Sequence, residues 1–567
     1  MMHGPSSAAT GEPPALPAPD PGVRQMRRLQ EAMEVAEDVP ATLGALIRER
    51  AIALGDAVAG HWFEDGVEYT YRELDTAADR LASSLMGRGV RKGAHVAVML
   101  PNVAAFPITW IALGRIGAVM VPVNVTYTSP ELRFVLEDSD AQFLVIDVEL
   151  LPVLYGVRPL PPLLSDTRVI VHGAKANASA GTLHVDWQQL VAEGKAPFCA
   201  PSPVAASDLL NLQYTSGTTG FPKGCLLTHD YWMLISRLAA LMRGAGGEVR
   251  NVLVWAPFFY MDAQWQFLMT LWLSGTAFVA RRMSLARFHD WLREHGIQMC
   301  IYPEAALKQP ATPESDVQLS LKYLSIYGWG AEARREVERR FHVVAREGYG
   351  MTEVGGATHV PPDATHMAHT RSCGLAMPFR ELRIVDAAGN DVGEGEEGEL
   401  WVAGRAILWG YYKRPEANAE SFRGRWFRTG DVFRRDANGY YYIVGRIKDM
   451  IKRAGENIAA IEVEAALRAM PEVEEAAVVA VPDPLRREEV KAYLKLREGL
   501  TQAEVPPERV FAHCAAHLAA FKVPRYLAYV TVDFPRTPTR KIVKRTLVEG
   551  VDDLRVGAFD RVDGVWR

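Results

Sequence analysis

The chain has 567 residues, beyond the roughly 250–300 at which one hydrophobic core stops growing, so at least two structural units are expected. Apolar residues at 49% and charged residues at 23% exclude wholesale disorder. Basic (63) and acidic (68) residues nearly balance at a net charge of -5, which excludes a strong global field for nucleic acid or an anionic membrane.

In chain order, the first 22 residues are rich in Pro, Ala, Gly and Ser and carry no basic-then-apolar leader pattern, so residues 1–39 are expected to be a mobile segment. Helical spacing over 70–88 puts Leu74, Ala77, Ala78, Leu81 and Leu85 on one face. The apolar run 96–100, closed by Pro101-Asn102, reads as a buried strand and turn. A helix over 110–116 and strands over 118–123 and 143–147 follow. This alternation argues α/β with a largely parallel sheet, and it recurs over 252–301. The apolar run 267–280 is too short to span a bilayer and reads as core.

From Gly398 the texture turns β-rich, with strands over 399–403 and 439–444. A helix over 461–470 stopped by Pro471 comes next, then strands over 476–481 and 491–496. The expected division is a mobile segment 1–39, a large multi-lobed α/β domain 40–447 with mainly parallel sheets, and a small mobile α+β domain 448–567. Five scattered cysteines without a CxxC pair (Cys199, Cys225, Cys300, Cys373, Cys514) argue against a disulfide framework or zinc ribbon. They point to a reducing, cytoplasmic setting.

The strongest local signal is YTSGTTGFPKG over 214–224. Its glycines allow close backbone approach, its hydroxyls can donate to oxygens, and Lys223 adds positive charge, all suited to a polyphosphate. It is not a Walker A loop, because no Gly-Lys-Ser/Thr ends it. Further on come GYGMTE (348–353), TGD (429–431), GRIKDMIK (445–452) and PRTPTRK (535–541). Outside these strings Glu353 would read as a surface acid, Asp431 as a turn acid and Lys541 as part of a solvated basic patch.

Together and in this order, the five strings resemble the motifs of the adenylate-forming superfamily: acyl-CoA synthetases, peptide-synthetase adenylation domains and beetle luciferases. The resemblance covers roughly residues 40–550. It implies an ATP-dependent acyl-CoA synthetase that activates a carboxylic acid as acyl-AMP and passes it to CoA, with Mg²⁺ as cofactor. The alternative is passage to a carrier-protein thiol or an amine; no Gly-x-Asp-Ser-Leu carrier motif lies in the chain. Carried over residue by residue, Thr215, Ser216, Gly217, Thr218, Thr219 and Lys223 would wrap phosphates. Tyr349 would stack on adenine opposite Gly328, Trp329 and Gly330, beside Gly350, Met351 and Thr352. Glu353 would ligate Mg²⁺, Asp431 with Arg446 nearby would hold the ribose, and Lys541 would bridge carboxylate and α-phosphate. Lys448 would be the hinge, with Lys452 and Gly455 on the CoA side.

Two positions depart from the superfamily pattern: Arg540 stands where a Gly commonly precedes the lysine, and Tyr260 stands where a His often ends a Pro-x-Phe-His segment. The segment 255–264, WAPFFYMDAQ, looks most like the carnitine/crotonobetaine-CoA ligase branch. An acyl pocket lined by Tyr260, Trp265, Trp329 and Gly330 is expected, for a bulky aromatic acid or a quaternary amine with Asp262 as its counter-charge. Trp265 and Trp272, seven apart, equally fit a helix core. Partners are then a small carboxylate, ATP and CoA, with no nucleic acid and no transmembrane segment; a homodimer is left open.

Overall fold

The computed structural model describes residues 20–35, 39–173, 184–215, 222–310, 316, 319–454, 456–536 and 542–567. Among these the strands form four sheets. One has the order Val185–Asp186, Val169–His172, Phe143–Asp147, His95–Met99, Val119–Pro122, Leu209–Thr215, Lys223–Thr228. It is parallel except for its last pair. The second runs Leu375–Ala376, Gly355–His359, Val344–Met351, Tyr323–Ile326, Met299–Ile301, Asn251–Val254, Thr276–Val279, Val58–Trp62, Val67–Thr70. Its centre is parallel and both edges are antiparallel.

Both sheets are covered on two faces, which is why their strands read as unbroken apolar runs. Val96 and Val98 join one core with Val252 and Val254, whereas Ala97 and Met99 join another with Val135 and Leu136. Leu253, between the two valines, faces a third cluster with Phe288, Trp291 and Leu292. Helices therefore lie between the sheets, and all of Ala105–Ile116 is buried. Fully burying each of Phe106, Ile108, Ile111 and Leu113 contributes about 1.5–3 kcal/mol.

The helix expected over 70–88 is Tyr71–Gly87. Its start is fixed by a capping box: Glu73 N donates to Thr70 Oγ1 (3.2 Å) and Thr70 N to Glu73 Oε2 (2.9 Å). Buried Arg115 on Ala105–Ile116 pairs with Asp75 and Asp79, clamping the two helices together. The run 267–280 is core, but it is split between the helix Met261–Trp272 and the strand Thr276–Val279. Gly275 makes the turn between them, because a Cβ there would sit 2.1 Å from the Arg250 carbonyl.

The third sheet is antiparallel: Arg380–Val385, Gly398–Gly404, Trp426–Arg435 and Phe422–Arg423, with Tyr441–Arg446 also on Trp426–Arg435. After the single turn Ile447–Asp449, a fourth sheet starts at Met450–Arg453 and ends at Val565–Trp566. Its core packs the helix Ala460–Arg468 through Val463 and Leu467 against Val478, Val490 and Leu494.

One expectation needs correcting. Residues 20–35 of the expected mobile segment are ordered: Pro21–Glu34 is a helix, and Asp20 Oδ1 caps it by accepting from Gly22 N (2.8 Å) and Val23 N (3.2 Å). Met26 is buried against Leu234, Leu238, Val360 and Tyr440. The Tyr440 hydroxyl donates to Asp20 at 2.7 Å. Residues 1–19 and 36–38 lie outside the described residues. Among the described residues no helix is long and apolar enough to cross a membrane.

Candidate active site

Thr215 ends one strand, Lys223 begins the next, and the two residues are register partners. Thr215 Oγ1 donates to Lys223 O at 3.4 Å. Ser216, Gly217, Thr218 and Thr219 lie outside the described residues. The Lys223 ammonium sits 4.3 Å over the ring of Tyr411. The Tyr411 hydroxyl donates to Glu353 Oε1 at 2.8 Å. One phenol thus couples the phosphate-loop cation to the acid of the second motif.

Glu353 sits in the turn of a tight hairpin in which Met351 pairs with Gly355 and Gly350 with Gly356. Gly350 is required there, since a Cβ would meet Gly355 O at 2.4 Å. Thr352 O accepts from the Tyr231 hydroxyl at 2.9 Å. Glu353 is only 6% exposed. Burial pushes its carboxyl above the usual range, while the Tyr411 hydrogen bond and the charges of Lys223 and Arg446 pull it back.

A second cluster adjoins it. The Tyr349 hydroxyl donates to Asp431 Oδ2 (2.5 Å), and Arg446 Nε pairs with Asp431 Oδ1 (2.9 Å). Asp431 and Arg446 are register partners on adjacent strands, which fixes their encounter in the backbone. The Tyr349 ring packs edge-on to Phe433 at 4.8 Å. Burial and the neighbouring carboxylate both push the Tyr349 phenol up, so it stays a hydrogen-bond donor.

The strand Tyr323–Ile326 leads into this region. Gly328 N donates to Glu347 Oε2 at 2.8 Å, and Arg334 Nη2 pairs with the same oxygen at 2.7 Å. Gly328 has φ +74, and a Cβ on Gly328 or Gly330 would meet nothing within 4 Å, so this backbone borders open space. Trp329 corrects the expected acyl pocket. Its side chain is 5% exposed and belongs to the core behind the sheet, with Tyr302 edge-on at 6.1 Å. The positive φ at Gly328 breaks the strand's alternation and turns the indole away, while Tyr327 just before it is 42% exposed.

The other two predicted pocket aromatics stay between the sheets. Tyr260 is half-buried against Phe259 (4.6 Å), with Asn124 Nδ2 donating to its hydroxyl at 3.4 Å. Trp265 is buried on Met261–Trp272, and its Nε1 donates to Asp262 Oδ1 at 3.2 Å. Segment 255–260 is held by side chains the sequence did not single out. Asn102 Nδ2 donates to Ala256 O (2.9 Å) and Ala280 O (3.0 Å), and Phe258 N donates back to Asn102 Oδ1 (2.8 Å).

Lys448 lies exposed in the turn Ile447–Asp449, and Lys452 is exposed on Met450–Arg453. Gly455 and Lys541 lie outside the described residues. Arg536 and Ile542, on either side of the undescribed residues, form an isolated antiparallel bridge. Lys544, just beyond, pairs with Glu464 (2.7 Å) and reaches Asp449 (3.8 Å). Tyr411 was missed. Its phenol meets Glu353 from 58 residues away, and no local spacing signals that.

Comparison with known proteins agrees with this geometry. Residues 47–412 match the AMP-binding enzyme family, and residues 462–541 match the AMP-binding enzyme C-terminal domain. The crotonobetaine/carnitine–CoA ligase of Citrobacter koseri is 31% identical over 495 residues, 85% of this chain and 93% of that protein. ATP-bound MatB from Rhodopseudomonas palustris superposes with a TM-score of 0.78 at 25% identity, covering 90% of this chain and 99% of that one. The anthranilate CoA ligase AuaEII with anthranoyl-AMP shares the fold, with a TM-score of 0.80 at 23% identity over 90% and 97% of the two chains.

Proposed function

The chain belongs to the AMP-binding enzyme family, and on that premise we propose that it is an AMP-forming acid–thiol ligase that joins a small carboxylic acid to CoA. The observation that carries this is the convergence of Lys223, Glu353 and the Asp431–Arg446 pair, from three distant stretches, through Tyr411 and Tyr349.

In the first half-reaction a carboxylate oxygen attacks the α-phosphorus of ATP and pyrophosphate leaves with the broken P–O bond. In the second the CoA sulfur attacks the acyl carbon, its proton is lost, and AMP leaves as the C–O bond breaks. Neither step needs a side-chain nucleophile; both need two anions brought together and growing charge stabilised. Lys223 supplies charge at the phosphate loop, held over the Tyr411 ring. Asp431, steadied by Arg446 and Tyr349, offers carboxylate lone pairs to ribose hydroxyls. Lys541 is assigned to the carboxylate and α-phosphate, and the small unit is assigned a rotation about Lys448 that withdraws Lys541 and brings Lys452 and Gly455 to the site.

Mg²⁺ fits this donor set. Glu353 is a hard, buried carboxylate whose raised pKa a cation would relieve. Among the described residues no group of three His, Cys, Asp or Glu could hold a metal alone. Glu353 would be the residue that holds the cation, which would supply positive charge beside the phosphates. All five cysteines are free thiols, which supports a reducing, cytoplasmic setting.

The test is incubation with ATP, Mg²⁺ and a panel of acids, with and without CoA. CoA-dependent release of AMP with acyl-CoA formation is expected. Acid-dependent pyrophosphate exchange that never yields acyl-CoA would move the acceptor to a carrier thiol or an amine, and silence across the panel would remove the activity.

A further inference from the structure

Five arginines are buried among the described residues. Arg115, Arg334 and Arg346 each pair with a carboxylate, and Arg380 donates to backbone carbonyls of Val354, Arg405 and Ala406. Arg243 has neither, although it is only 7% exposed. Its Nε donates to Ser325 Oγ (2.9 Å), its Nη2 lies 3.5 Å from His359 Nδ1, and its guanidinium lies 5.1 Å from the centre of the Trp265 ring. Burial pushes the His359 pKa well below its usual value, and Arg243 and Arg346 add to the fall, so the imidazole beside Arg243 is neutral. A guanidinium taken out of water without an anion is costly, and that cost is recovered when an anion arrives.

Arg243 ends the helix His229–Arg243, whose start touches the reaction centre through Tyr231 and Thr352. Next along that helix, Ile235 Cγ2 would lie 2.6 Å from a Cβ on Gly355, so Ile235 faces the hairpin of the second motif. The helix rises roughly 18 Å from Tyr231 to Arg243, and an arginine leans back toward the helix N-terminus, so the guanidinium is set back along the helix from the motif. Beside the guanidinium stand Trp265 and Tyr327, whose hydroxyl hydrogen-bonds with Arg243 and also feels Asp262.

We propose that Arg243 determines acid specificity by receiving a second, distal carboxylate, so that the substrates are dicarboxylic acids, aliphatic or aromatic. This rests on the ligase reading above and names its acid. A trimethylammonium acid would place its cation toward Arg243, and the acid it would need, Asp262, already accepts from Trp265. A plain fatty acid would leave the guanidinium buried without an anion.

The experiment measures kcat/KM for CoA-dependent AMP release with two matched pairs, octanoate against suberate and benzoate against terephthalate, with carnitine alongside. The diacid of at least one pair is expected to exceed its monoacid by about tenfold or more, and carnitine to trail both. Arg243→Met should bring that ratio to about one. Arg243→Lys, which keeps a charge but loses the planar fork, should keep part of it and serves if the methionine variant does not fold. Monoacids preferred over diacids, carnitine preferred over all, or an equal fall for both members of a pair in Arg243→Met would overturn the proposal while leaving the ligase activity standing. No acid turned over at all would remove the ligase reading and this inference with it.

Discussion

Tyr411→Phe removes a single oxygen from the centre of the site and keeps the ring under Lys223. That oxygen donates to Glu353 at 2.8 Å, and Tyr411 is 4% exposed, so water has little room to replace it. A hydrogen bond to a charged group contributes about 1.5–3 kcal/mol, and one pKa unit is about 1.4 kcal/mol. The Glu353 carboxyl, already raised by burial, should therefore rise further when the Tyr411 hydrogen bond is lost. On the proposed role a protonated Glu353 would no longer ligate a cation, so activity should be lost as pH falls through this pKa. The assay is acid-dependent ATP–pyrophosphate exchange across the acid and neutral range at saturating ATP and Mg²⁺. The acid limb of Tyr411→Phe should move to higher pH while the alkaline plateau falls little. Tyr411→Leu, which also loses the ring, should add a rise in the KM for ATP from a lost cation–π contact of about 0.5–2 kcal/mol. A limb that coincides with that of the parent enzyme would refute the link between phenol and carboxylate.

His229 is buried, Leu43 N donates to its Nδ1, and burial lowers its pKa to about 4. The unfolded chain takes up this proton near pH 6.5 and the folded chain only near 4, so stability falls with pH in that window. The loss is about 2 kcal/mol by about pH 5, and a His229→Asn variant should lack it in melts at paired pH values; parallel melting curves for the two proteins would refute it. Lys541→Ala should slow adenylation by about 10²–10³ while largely sparing thioester formation from supplied acyl-AMP; equal losses in both half-reactions would move the lysine's role elsewhere. Lys448→Pro restricts φ to about −65° and should slow thioester formation more than pyrophosphate exchange; rates that fall together would place the pivot at another residue.

How much of this the sequence carried follows from whether the signal is local. Strands such as His95–Met99 stood out as apolar runs, because burial on two faces leaves no polar residue to interrupt them. The helix Pro21–Glu34 was hidden by the Pro/Ala-rich stretch before it, although Asp20 as N-cap and Pro21 at the first helical position are its start signals. In the candidate site, Lys223, Glu353, Asp431 and Arg446 each sit in a local motif, which is why the sequence singles them out. Tyr411 and Arg243 act across long separations, on Glu353 and beside Ser325, and carry no spacing to read. Trp329 was placed at the acyl pocket from its neighbours in the string. One left-handed glycine before it reverses which face of the sheet the indole occupies.

The most direct test of the central claim is a single-turnover chase of the parent enzyme with α-labelled ATP, Mg²⁺ and an accepted acid, first without CoA. One equivalent of enzyme-bound acyl-AMP and one of pyrophosphate should form, and added CoA should convert the labelled adenylate to AMP with matching acyl-CoA. Labelled ADP, or acyl-CoA formed with no adenylate before it, would contradict the account.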